Sequence, residues 1–180
     1  MNHPLPCQLT PKDHAVLDTL LERCLEPGGA YAALLRRKLA GAEVQTARNI
    51  PANVVTLDSR VLYRVDGGPA ETRIVAQSAA GGPVVGLLLP VTTMRGLALL
   101  GMAEGESVAI DEGGAEIVLS VQTVAYQPEA ARREAQLDRA ARGPALRLVH
   151  SASTPKEPAR AAAPYILSNG FDDDPGPSAA

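Results

Sequence analysis

Three glycines raise the first chemical question. In "RGLALLGMAEGESVAID", residues Arg95 to Asp111, Gly96, Gly101 and Gly105 surround a short apolar run that turns into a strand-like segment. A phosphate-cradling loop needs its glycines directly after a strand, with backbone N–H groups converging on the start of a helix. Here the glycines are spread too widely for GxGxxG, and no Gly-Lys-Ser/Thr follows them. Gly101 falls at the end of the helix-like run, where it suits a C-terminal cap, and Gly105 in "AEGES" suits a turn into the next strand. The glycines read as corners of a fold, not as a nucleotide site.

Other reactive constellations are equally thin. Ser59, Ser78, Ser107 and Ser120 have no GxSxG elbow around them, and no histidine lies between Asn49 and Gln127 to serve as a base. The carboxylates of Asp111 and Glu112 fall at an expected hairpin turn, where charge solvates a loop. His3, His14 and His150 are scattered, and Cys7 and Cys24 have neither CxxC spacing nor enough partners for a disulfide framework. The residues predict no catalytic centre, no metal and no cofactor.

Composition narrows the partner. The chain has 180 residues, a formal net charge of −3 and 46% apolar residues, with no Trp and a single Phe, Phe171. Sequence-independent nucleic-acid binding needs a basic surface that displaces counterions from phosphates. A mildly acidic chain predicts a protein partner instead. "MNHPLPCQLTPKD" lacks the basic and apolar regions of a signal peptide, and no run approaches the roughly 20 apolar residues of a membrane span. A cytoplasmic protein is expected.

Three regions follow. In the first, 1–45, "TPKD" starts a helix: Thr10 can cap it, Pro11 suits the first position and Asp13 favours the positive end. Leu17, Leu20, Leu21, Cys24 and Leu25 form one apolar stripe at helical spacing. "PGG" at Pro27–Gly29 breaks that helix, and Tyr31, Leu34, Leu35 and Leu39 form a second stripe that Gly41 ends. The pair predicts an antiparallel helical hairpin. The second region, 46–130, predicts an antiparallel sheet with a short helix on one face. Its strands are "NVVTL", "VLYRV", "ETRIVAQ", "VVGLLL", "ESVAID" and "AEIVLSVQTVAY", with turns at Gly67–Pro69, Ala79–Pro83 and Gly113-Gly114; the helix falls at Arg95–Leu100. The third, 131–180, continues the helix-forming but anchor-poor "PEAARREAQLDRAAR" and then becomes a Pro-, Ala- and Ser-rich tail expected to be disordered. The fold class is α+β.

These segments carry a family resemblance. "PANVVTLDSRVLYRV" (Pro51–Val65), "GLALLGMAEGESVAI" (Gly96–Ile110) and "YQPEA" (Tyr126–Ala130), in this order, resemble the Rnk family of regulators of nucleoside diphosphate kinase, relatives of the Gre transcript-cleavage factors. The resemblance covers roughly Thr10 to Ala130. It implies a short N-terminal coiled coil joined to an FKBP-like domain, and RNA polymerase as partner, met at the rim of its secondary channel. Gre factors dock through a Ser-Pro segment just before the helix that here reads "RGLALLG". Counting back from Gly101 places Met94 at that proline, so the resemblance implies docking through Thr92, Thr93, Met94 and Arg95.

The resemblance also implies what the arm does. Gre factors use acidic residues at the tip of a long arm to help hold a catalytic metal ion, for which carboxylate oxygens are suitable ligands. This chain offers Glu22 and Glu26 near the turn, on a first helix of only ~22 Å if it runs from Pro11 to about Leu25. The expectation is a regulator that occupies the channel entrance, stimulates no cleavage and competes with Gre-type factors. Two alternatives stay open: a Gre-like cleavage stimulator, and an interaction module unrelated to transcription that uses the Phe171–Asp174 tail. Prolyl isomerisation, known for FKBP-like folds, needs an aromatic-walled pocket, and Tyr63 and Tyr126 are the only aromatics between Asn49 and Gln127. Nothing in the residues points to direct contact with a kinase.

Overall fold

A computed structural model describes residues 7–78 and 85–142. The turn expected at Ala79–Pro83 and the Phe171–Asp174 tail lie outside the described residues.

The chain opens with strand β1 (Cys7–Leu9) and enters helix α1 (Pro11–Glu22) through a reciprocal cap. The Asp13 N–H donates to the Thr10 hydroxyl at 3.1 Å, and the Thr10 N–H donates back to the Asp13 carboxylate at 3.3 Å. A turn leads into α2 (Ala30–Gly41), and the two helices pack side by side as a hairpin. Helix α1 ends three residues before the expected Leu25. That residue, expected on the apolar stripe, is 96% exposed in the turn. Three residues earlier, "RCLEPGG" has already run out of helix-forming neighbours: Pro27 cannot continue a helix and two glycines follow it.

Strand β2 (Ala42–Val44) then pairs in parallel with β1, a contact that no sequence pattern announced. Strands this short have no period to read. The main sheet has five strands in the order β5-β4-β3-β7-β6: β3 (Arg60–Val65), β4 (Glu71–Ala76), β5 (Leu88–Pro90), β6 (Ser107–Glu112) and β7 (Ala115–Tyr126). The β3–β4 and β6–β7 hairpins turn on Asp66-Gly67 and Gly113-Gly114. All four residues have positive φ; Gly113-Gly114 is a two-residue loop between the paired Glu112 and Ala115, whereas residues 66–70 join β3 to β4.

Two expectations about the sheet need correction. It is not wholly antiparallel, because β5 pairs parallel to β4. Parallel pairing returns the chain to its starting end, so the connection from Ala76 to Leu88 is not a hairpin. "NVVTL" is also not a strand. Val54 makes one isolated bridge to Ala103, and Val54, Val55, Thr56 and Leu57 are buried in succession. A strand with one wet face alternates its burial; this segment is threaded through the core, with the Val55 N–H donating to Met102 and its carbonyl accepting from Gly101.

Helix α3 (Met94–Leu99) lies against the sheet with Gly96, Leu97, Ala98 and Leu99 buried. One apolar cluster runs through hairpin and sheet together. Cys7, Leu9, Leu17, Leu34 and Leu35 pack in the same core as Tyr63, Leu97, Leu99, Leu119 and Val121. Helix α4 (Pro128–Arg142) follows β7. Among the described residues no helix is long and apolar enough to cross a membrane.

Candidate functional site

The segment leading into α3 is built on Thr93. Its backbone is extended, and its hydroxyl accepts from the Gly96 N–H at 3.1 Å while donating to the Pro90 carbonyl at 2.7 Å. One side chain thus caps the helix and closes the preceding turn. Thr92 and Thr93 are exposed; Met94 and Arg95 are half-buried. Arg95 lays its guanidinium on the carboxylate at the end of β6, with Nε 2.9 Å and Nη2 2.6 Å from Glu112 Oε2. Met94 lines a cleft of ≈ 340 Å³ between α2 and β6 together with Leu34, Arg37, Ile110 and Asp111. The four residues implied as docking groups therefore form one continuous surface segment. Two of them have local structural work as well.

Close approach dictates glycine at position 96. A Cβ there would overlap the Pro90 carbonyl, so α3 sits on the turn that precedes it only because residue 96 has no side chain. At the other end of α3, Gly101 has φ +81°, and a Cβ would lie 2.6 Å from Cys7 Sγ. Gly101 is thus a C-terminal corner, as expected. Gly105 has positive φ and open space around it, as a turn glycine does.

Helix α2 holds this segment from behind. The Tyr31 hydroxyl donates to the Val91 carbonyl at 2.8 Å, and Lys38 Nζ donates to the Leu100 carbonyl. Lys38 is fully buried, with Cys7 Sγ 3.9 Å away. Burial pushes the Lys38 ammonium pKa down and the Cys7 thiol up, and each group partly offsets the other's shift. Burial likewise pushes the Tyr31 phenol up to about 12. Neither bond was read from the sequence. A signal was present: Lys38 sits four residues after Leu34 and seven after Tyr31, on the apolar stripe, where a surface helix should bury a hydrophobe.

The hairpin turn presents Glu22 and Glu26, both exposed, on either side of the exposed Leu25. Among the described residues no group of three or more His, Cys, Asp or Glu could hold a metal ion. Ser59 is buried and spent on structure: its Oγ accepts from the Thr56 N–H at 3.1 Å. The Thr56 hydroxyl in turn donates to Glu129 at 2.7 Å, fastening the start of α4 to the body. Tyr63 is in the core and Tyr126 is 49% exposed.

No model of a protein family matches the chain. It is 32% identical over 120 residues to the regulator of nucleoside diphosphate kinase of Escherichia coli strain K12, across 64% of this chain and 85% of that protein. The regulator of nucleoside diphosphate kinase from Shigella flexneri gives the same identity and coverage. Among solved structures, the prokaryotic transcription elongation factor GreA/GreB from Nitrosomonas europaea superposes with a TM-score of 0.53 at 27% identity. That match covers 68% of this chain and 99% of that one.

Proposed function

The chain belongs to the family of regulators of nucleoside diphosphate kinase, and from that premise we propose that it is a transcription regulator that binds RNA polymerase and performs no chemistry of its own. In this reading the hairpin is a short coiled-coil stalk and the sheet with α3 is an FKBP-like body. The body docks at the rim of the secondary channel through Thr92, Thr93, Met94 and Arg95, and the stalk occupies the entrance and competes there with Gre-type factors. The observation that carries the reading is the likeness to a GreA/GreB elongation factor over 99% of that chain at 27% identity.

Reach and ligand count argue against cleavage stimulation. Helix α1 has 12 residues, a length of ~18 Å. Its tip offers two separated acids, Glu22 and Glu26, and no adjacent acidic pair. Backtracked elongation complexes test this directly by following the RNA 3′ end. The protein alone should leave transcripts at full length, and an excess of it should slow shortening driven by a Gre factor. Robust shortening by the protein alone would make it a cleavage stimulator; no effect in either arm, with no retention on polymerase, would point to a partner outside transcription.

A further inference from the structure

We propose that α2 is a two-point clamp on the docking segment, and that Tyr31 and Lys38 are positioning residues that fix the direction of the hairpin relative to Thr92–Arg95. The docking role of that segment rests on the reading above; the clamp itself rests on two hydrogen bonds and their placement. Tyr31 donates to the carbonyl of Val91, the residue immediately before Thr92, at 2.8 Å. Lys38 donates to the carbonyl of Leu100, the residue immediately after α3. The two donors are seven residues apart, about two helical turns, and so share one face of α2. Between them Leu34 and Leu35 are buried in the common core. The bonds thus bracket the docking segment and its helix, front and back, from one rigid element.

Apolar packing alone does not require this arrangement. A linear apolar side chain at position 38 would fill the same volume without the cost of desolvating an amine. What the lysine adds is direction, because its donor reaches the Leu100 carbonyl, just past the end of α3, only at one placement of α2. Tyr31 adds the same constraint at the other end. Contacts among Leu side chains tolerate sliding more readily than two fixed hydrogen bonds do. The hairpin is therefore held at one angle, and a docked body would aim it into the channel instead of letting it swing.

The full chain supplies the test. A nitroxide on Cys24 at the hairpin turn and a second on Glu116→Cys in β7 report the hairpin-to-body distance, while Cys7, only 2% exposed, stays unlabelled. Amide exchange at Val91, Thr93 and Gly96 reports the docking segment. In Tyr31→Phe, and again in Lys38→Met, the distance distribution should broaden and those three amides should exchange about tenfold faster, while Leu119 and Val121 in the sheet keep their protection. On polymerase, the variants should compete with a Gre factor about tenfold less well than wild type, because a hairpin that swings populates the entrance-filling placement less often. Unchanged distances and exchange in both variants would overturn the clamp. So would uniform acceleration that includes Leu119 and Val121, because it would assign the bonds to general stability. Should Lys38→Met not fold, Tyr31→Phe, which removes one oxygen, decides the matter alone. Failure of the wild-type protein to bind polymerase would strike the docking reading, with the clamp still judged on the free protein.

Discussion

Tyr31 makes a pH signature that a surface tyrosine would not. Its phenol is raised to about 12, against about 10 in an unfolded chain. Between those values the native state holds a proton that the unfolded state has lost, so stability falls as pH rises. Tyr31 should therefore contribute fully below about pH 10 and lose its contribution as the pH approaches about 12. Urea midpoints for wild type and Tyr31→Phe should differ at about pH 9 and converge toward about pH 12; a constant gap would show that burial does not hold the proton on the phenol. The glycines give a second contrast. Gly96→Ala drives a methyl into the Pro90 carbonyl and should cost about 2–4 kcal/mol, because backbone cannot step aside. Gly105→Ala meets only its positive φ in open space and should cost about 1 kcal/mol. Equal costs by chemical denaturation would mean that the close approach is not real.

At the scale of elements, hydrogen bonds decide more than propensity. Helix α4 looks poorly anchored, since Leu137 is 70% exposed. Yet its first turn is fastened by Glu129 to Thr56 at 2.7 Å and by Gln127 to the carbonyls of Pro51 and Val54 at 2.8 and 2.7 Å. Glu129→Ala leaves the Thr56 hydroxyl with one partner fewer in a buried site and should cost about 1–3 kcal/mol. Faster amide exchange confined to α4 and residues 54–59 would accompany it. Thr93→Ala should cost about 1 kcal/mol through the lost cap of α3, read as a shift in denaturation midpoint with an unchanged slope. The same physics sets what was legible in advance. Helices α1 and α2 announce themselves because Leu17, Leu20, Leu34 and Leu35 repeat at helical spacing, and β3, β4, β6 and β7 because glycine-containing turns separate β-branched runs. "NVVTL" misleads because a strand and a buried extended thread share β-branched residues; only the partners of Val55, far away in sequence, distinguish them. The parallel β1–β2 and β4–β5 pairs are three residues long, too short for a period. The docking segment, Thr92 to Arg95, comes from the sequence as a positional expectation and remains a proposal. The bonds from Tyr31 and Lys38 were not legible there, because they join residues about 60 positions apart.

At the scale of the molecule, hairpin and sheet share one core, from Leu17 and Leu35 to Leu97 and Val121. In the proposed reading, that shared core and the two bonds from α2 hold the hairpin as a stalk of fixed direction on the body. The central claim is that this body docks at residues 92–95 with the stalk entering the polymerase. It is tested most directly by photo-crosslinkers placed singly at Thr92 and at Leu25, with the captured polymerase peptides mapped by mass spectrometry. We predict capture of the outer rim of the secondary channel from position 92 and of its inner wall from position 25. Capture of no polymerase peptide from either position, or of the same outer surface from both, would contradict the account.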